Sequence, residues 1–194
     1  MSSLVAQLQV LVAFAAITFF VCMAIVSINF FVVADRSSEM GKQVISVTAG
    51  ATSLLVSWLL IAQPLSSIWN LTFSLLMYLS ALVVFLWTWR SNHSLPFDFV
   101  FSSREPQRIS KTGPYRWVRH PFYSSYCTSW VASILGTMSP VVSTLGLALI
   151  GAYVFAAIRE ERQFARSPLA AEYAAYKSQT GMLFPRVRRR TVAA

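Results

Sequence analysis

Apolar residues in this chain run in long blocks, separated by short polar connections, with neither a two-residue nor a 3.6-residue alternation. Five blocks stand out, at residues 4–33, 44–62, 68–89, 121–138 and 141–158. Each approaches or exceeds the roughly 20 apolar residues that a helix needs to cross a bilayer. In hydrocarbon the backbone must satisfy its own hydrogen bonds, so the blocks predict membrane-spanning α-helices. The first block is too long for the core of a signal peptide and reads as a retained span. The expected fold class is all-α, an integral membrane bundle of about five transmembrane helices.

The connections differ sharply in charge. Residues 63–67 carry none and include Pro64, and Ser139-Pro140 is a tight uncharged turn. Residues 34–42 hold Asp35, Arg36, Glu39 and Lys42. The 90–120 connection holds six basic residues, and the segment from Arg159 onward holds eight of the sixteen in the chain. The positive-inside rule places both rich segments in the cytoplasm. Five spans then alternate consistently, with the N-terminus outside and the C-terminus cytoplasmic. Trp87, Trp89 and Trp117 fall at the predicted boundaries, where interfacial aromatics belong. The chain divides into a three-span half at 1–90, a cytoplasmic loop at 91–120 and a two-span half at 121–194, within one membrane domain covering 1–194.

Composition agrees with this pattern. Of 194 residues 56% are hydrophobic and 12% charged, against roughly 25% charged in soluble domains. The net charge of +9 flanks the spans and lies on no soluble domain, so an anionic lipid face, not nucleic acid, is the expected partner. Cys22 and Cys127 lie singly in apolar blocks, with neither disulfide nor metal spacing. The chain is short and has no organelle address, which points to a bacterial inner membrane.

Only 7 residues are acidic, and two of them, Glu160 and Glu161, are adjacent at the end of the last block. Charges beside hydrocarbon are costly and usually functional. Pro114 and Pro121 bracket a short turn containing Tyr115, Arg119 and His120. The residue before a proline is pushed out of the helical region, so His120 should sit at a break. Pro121 suits the first position of the fourth span. That helix start, with Arg119 and His120, offers donors to a carboxylate or phosphate. Tyr115, Arg119 and Tyr123 would share a face if the turn were helical throughout. Ser167-Pro168 reads as the cap and first residue of a cytoplasmic amphipathic helix carrying Tyr173 and Tyr176. Blander roles exist for the same residues. Arg119 and His120 could anchor lipid headgroups, and the glutamates could pair with Arg159, Arg162 or Arg166 along one helix. Ser124 and Ser125 are expected only to hydrogen-bond the helix backbone. Together, however, donors at Arg119-His120 and carboxylates at 160–161 suit a ligand with an amino-acid end. S-adenosylmethionine is such a ligand.

The run Gly-Pro-Tyr-Arg-Trp-Val-Arg-His-Pro-Phe-Tyr at 113–123 resembles the signature of the isoprenylcysteine carboxyl methyltransferases and related membrane methyltransferases. Glu160-Glu161-Arg162, Glu172-Tyr173, Tyr176 and the 180–186 run Thr-Gly-Met-Leu-Phe-Pro-Arg resemble that family's C-terminal half in order and spacing. The resemblance covers residues 107–187. Upstream, Ser-Leu-Pro-Phe-Asp-Phe at 94–99 departs from the family's Leu-Gly-Arg-like element. The resemblance implies a cytoplasm-facing S-adenosylmethionine pocket built from the last two spans and the tail. Tyr115, Arg119, His120, Pro121, Tyr123, Glu160, Glu161, Tyr173 and Tyr176 are its candidate cofactor-binding residues. Arg119, Arg186 and Glu161 are the candidate catalytic ones, with either arginine orienting an anionic acceptor. A lipophilic or prenylated acceptor would enter sideways from the bilayer. Other acceptors fit the same architecture, a phospholipid amine or a small thiol among them. A sterol-type NADPH reductase and a non-enzymatic lipid-binding protein are the two readings outside the class. The 90–120 loop is long enough to act as a lid over the site.

Overall fold

The computed structural model describes residues 2–32, 36–63, 67–92, 97–98 and 108–186. They form six helices: α1 (Ser2–Phe30), α2 (Arg36–Ala62), α3 (Ile68–Asn92), α4 (Pro121–Thr137), α5 (Pro140–Phe164) and α6 (Ala170–Gln179). A single turn of 3-10 helix, Gly113–Arg116, precedes α4. Phe31–Val32 and Phe97–Asp98 pair as a two-residue parallel ladder.

Four helices are long and apolar enough to cross a membrane: α1, α2, α3 and α5. The expected fifth, α4, has the predicted boundaries but only 17 residues, or about 26 Å at 1.5 Å per residue. It differs from the others because it is the central helix. It packs on α3 and α5 and touches α1 and α2, so little of its surface is left to meet lipid. Such a helix need not be apolar all round, and α4 carries a stripe of Ser125, Ser129, Ser133 and Thr137, all buried. Each hydroxyl donates to a carbonyl one turn back. Tyr78 and Ser133 share a hydrogen bond of 2.7 Å, and Ser74 donates to the Ala132 carbonyl at 2.8 Å. A Cβ on Gly136 would lie 2.7 Å from Ser74 Oγ. Small residues thus let α3 and α4 approach closely, the packing that membrane helices favour when hydrophobic burial gives no drive between them. Large apolar side chains point outward instead, among them Phe14, Leu54, Trp58, Trp69 and Phe73.

Two boundaries depart from expectation for one reason. Residues 36–42, expected in a loop, are the first turns of α2, and α5 runs six residues past the apolar block to Phe164. Leaving hydrocarbon does not end a helix whose next residues are good helix formers, and Arg, Glu and Gln are. Ser167-Pro168 forms a turn just ahead of α6, which begins at Ala170, two residues later than expected. The Leu169 N–H bonds Ser167 Oγ at 3.2 Å and the Ala170 N–H bonds the Ser167 carbonyl at 3.0 Å. Residues 93–96, 99–107 and 187–194 lie outside the described residues, and with them most of the expected lid and the basic cluster at 188–190.

Gln9, near the start of α1, donates to the carbonyls of Leu60 and Gln63 at the end of α2. At the opposite end of the bundle, Phe85 of α3 packs on Phe122, and Tyr153 of α5 stacks on Tyr123. The ends of α3 and α5 and the start of α4 therefore meet at one level, where the candidate residues gather.

Candidate active site at the start of the fourth helix

The Gly113–Arg116 turn seats the signature on the end of α3. Gly113 has φ +55°, and a Cβ there would lie 2.0 Å from Ser91 Oγ. The turn is not helical through to α4, so Tyr115, Arg119 and Tyr123 do not form the single helical face considered from spacing. His120 sits at the expected break, with φ −126° and ψ 63°, and Pro121 is the first residue of α4.

The segment between the two prolines is held from its other side by the tail. Val118 and Gly181 form a parallel bridge. The Arg119 N–H bonds the Gly181 carbonyl at 2.8 Å, the His120 N–H bonds the Met182 carbonyl at 3.1 Å, and the Gly181 N–H bonds the Trp117 carbonyl at 3.1 Å. Ser124 Oγ adds a bond to the Leu183 carbonyl at 2.7 Å. A Cβ on Gly181 would sit 1.6 Å from the Phe184 carbonyl oxygen, so the turn that follows closes only over glycine. Tyr176 hydroxyl donates to the Tyr115 carbonyl at 2.7 Å.

The helical extension of α5 brings both glutamates to this segment. Adjacent helical residues point about 100° apart, and the two carboxylates serve different partners. Glu160 accepts from His120 Nδ1 at 3.0 Å and from the Tyr123 hydroxyl at 3.2 Å. Glu161 accepts from Arg119 Nε at 2.7 Å and from Lys177 Nζ at 2.6 Å, with His120 Nε2 at 3.6 Å. Arg119 also donates to the carbonyl of Thr180. The Arg119, His120 and Glu161 side chains are almost fully enclosed, whereas Glu160 is 25% exposed. Glu160 is therefore the member of the pair that a ligand can reach.

His120 stacks on Tyr123, ring centroids 5.6 Å apart and 16° from parallel, and Tyr123 stacks in turn on Tyr153. Burial opposes a charge on His120. The hydrogen bonds and charges of Glu160 and Glu161 outweigh it, leaving the pKa above its ordinary value. Tyr173 stacks on Phe164 with centroids 4.4 Å apart. Arg186 is placed differently from the other candidates. It donates to the Ser178 carbonyl at 2.6 Å and lines a cavity whose walls include neither glutamate nor His120. Lys177, Thr180 and Gly181 join the site although the sequence reading assigned none of them a role there. Lys177 counted only toward net charge, and nothing local distinguishes it from the other tail cations.

The description "Phospholipid methyltransferase" matches residues 69–169, just over half of the chain, and the chain belongs to that family. It is a multi-pass membrane methyltransferase whose methyl donor is S-adenosylmethionine. No curated protein and no solved structure matches it. The match bears out the expected class of membrane methyltransferase and does not single out the isoprenylcysteine carboxyl methyltransferases within it. The matched stretch runs from α3 through α5 and so includes the turn and both glutamates.

The residues present suit that cofactor. The buried Tyr173 hydroxyl lacks a hydrogen-bond partner among the described residues, and the nearest acceptor to the buried His120 Nε2 is Glu161, at 3.6 Å. A buried polar atom left unpaired is costly, and the other ring nitrogen of His120 holds Glu160, the carboxylate that a ligand can reach. Carboxylates match an ammonium or sulfonium, and Arg119, His120 and Lys177 match a carboxylate.

Proposed function

We propose that the protein methylates the amine of a phospholipid headgroup at the cytoplasmic face of the membrane. The family match supports a phospholipid acceptor, and the single structural observation that carries the reading is the Glu160–His120 pair, open to ligand at Glu160. Bound S-adenosylmethionine would supply an electrophilic methyl group on a sulfonium, and its transfer to an acceptor nitrogen would release a neutral thioether. An amine in neutral water is mostly an ammonium, with no lone pair to attack. Glu160 is the carboxylate placed to take that proton, because it is the member of the pair that a ligand can reach. Arg119 and Lys177 hold Glu161, and Glu161 and Tyr123 keep His120 and Glu160 in position. Tyr115, Pro121, Tyr173 and Tyr176 shape the cofactor side of the site. Much of the rate then comes from holding the reactants in line and excluding water.

The topology belongs to the same proposal. α4 makes a fifth, protein-enclosed crossing, the N-terminus is outside, and α6 lies along the cytoplasmic surface. The asymmetric distribution of basic residues supports this orientation. With it, a lipid acceptor enters laterally, and its headgroup meets Glu160 without leaving the interface.

The test is methyl transfer by purified protein from radiolabelled S-adenosylmethionine to three acceptors: phosphatidylethanolamine, a prenylated cysteine and a small thiol. Base-stable label in the phospholipid, lost in Glu160→Gln, is the expected result. Base-labile label in prenylcysteine alone would overturn the reading.

A further inference from the structure

Between the Gly113–Arg116 turn and the tail lies a cavity of about 360 Å3 lined by Lys111, Arg116, Trp117, Gln179, Thr180 and Arg186, with Tyr176 completing the wall. Its size falls in the range of ligand pockets, roughly 300–1,000 Å3. Its chemistry is one-sided. Lys111 is paired with Glu172 at 2.6 Å. Arg186 spends one donor on the Ser178 carbonyl. No carboxylate among the described residues lies within ion-pair distance of Arg116 or Arg186. The two hydroxyls in the wall are already committed, Tyr176 to the Tyr115 carbonyl and Thr180 to the Tyr176 carbonyl. What remains is a surplus of cationic N–H donors, and the guanidinium fork matches the geometry of a phosphate.

Trp117 marks the depth. It is 59% exposed and four residues ahead of the start of α4, where an indole suits the membrane–water interface. The back wall is shared with the site described above, since the Thr180 carbonyl accepts from Arg119. We propose that this cavity is a seat for the phosphodiester of a membrane phospholipid headgroup, with Arg116 and Arg186 as its principal ligands and Trp117 at the rim. The seat does not depend on which acceptor is methylated. If the acceptor is a phospholipid amine, the same seat fixes its phosphate behind Arg119.

The test is calorimetric titration of the detergent-solubilised full chain with three probes: dihexanoyl phosphatidylglycerol, dihexanoylglycerol lacking the phosphate, and inorganic phosphate. Wild type is compared with Arg116→Gln and with Lys111→Gln/Arg116→Gln. Saturable binding of the phospholipid is expected, at least tenfold weaker in the double variant and weakened in Arg116→Gln alone. The phosphate-free lipid should not bind, and inorganic phosphate should bind more than tenfold more weakly. Unchanged S-adenosylhomocysteine affinity certifies the fold of each variant. Equal lipid affinity in wild type and a variant with intact cofactor binding overturns the proposal. Inorganic phosphate binding as tightly as the lipid overturns its lipid assignment. Lipid binding that depends on Arg116, without methyl transfer to a phospholipid amine, upholds the seat and removes only the proposed acceptor.

Discussion

Arg119 and Glu161 meet across 42 positions of sequence, Nε to Oε1 at 2.7 Å, with both side chains 8% exposed. Arg119 also reaches the Thr180 carbonyl, so one guanidinium ties the start of α4 to the end of α5 and to the tail. Removing one partner of a buried pair leaves an uncompensated charge and typically costs about 3–5 kcal/mol. Arg119→Ala should fall near the lower end, about 3 kcal/mol, because Lys177 still faces Glu161. Arg119→Lys should recover only part of the loss, since an ammonium cannot span both partners. Thermal unfolding and S-adenosylhomocysteine binding, measured together, check this. A folded Arg119→Ala with wild-type affinity would contradict it.

His120 links this region to pH. Its pKa is raised in the folded protein, so its pairing with Glu160 contributes fully below the unfolded value of about 6.5. The contribution is lost as pH rises through the higher folded value. The stability gap between wild type and His120→Gln should therefore be widest below about pH 6.5 and narrow at alkaline pH. Melting curves of both proteins across that range decide it, and a gap that widens with pH would refute the ion pair.

Gly181 is constrained by close approach. A methyl group there must displace the Phe184 carbonyl, which lies 1.6 Å from the Cβ position. Gly181→Ala should open the turn and disturb the backbone bonds from Arg119 and His120 to residues 181 and 182. Cofactor affinity is expected to fall at least tenfold, equivalent to about 1.4 kcal/mol. The helical content should stay unchanged by circular dichroism, because the backbone bonds of Gly181 and Met182 go to residues 117–120, outside the helices. Unchanged affinity would show that the tail strand does not position the site.

The α3–α4 contact offers a test away from the chemistry. Tyr78 is fully buried and its hydroxyl bonds Ser133 at 2.7 Å. Ser133→Ala leaves that hydroxyl unpaired and should cost about 1–3 kcal/mol. The additional change Tyr78→Phe should restore most of it, because both partners are then apolar. A double-mutant cycle by thermal or denaturant unfolding measures the coupling, and simple additivity would deny the bond any role.

The order of the long apolar helices, the helix break at His120 and the first position of α4 at Pro121 were legible from the sequence. Each rests on local physics: the length of apolar runs against bilayer thickness, and the steric effect of proline on its neighbours. The adjacent glutamates were visible for a similar reason, because acid is rare in this chain and dear beside hydrocarbon. Their division of labour was not legible. Which carboxylate meets His120 and which meets Arg119 depends on α5 continuing as a helix and on its rotation against α4. Gly181 joined the site through the parallel bridge between 118 and 181, and Lys177 through its ion pair with Glu161, both long-range pairings with no local signature. Arg186 stood beside these residues in the motif, yet its side chain turns to the Ser178 carbonyl and a second cavity. α4 shows the same limit. It read as one more apolar block, and only packing revealed a helix enclosed by its neighbours. Local sequence determines which segments are long apolar helices and where proline breaks them, because those costs are paid residue by residue. Which side chains meet is decided by tertiary structure, because it depends on the rotation and depth of one helix against the next.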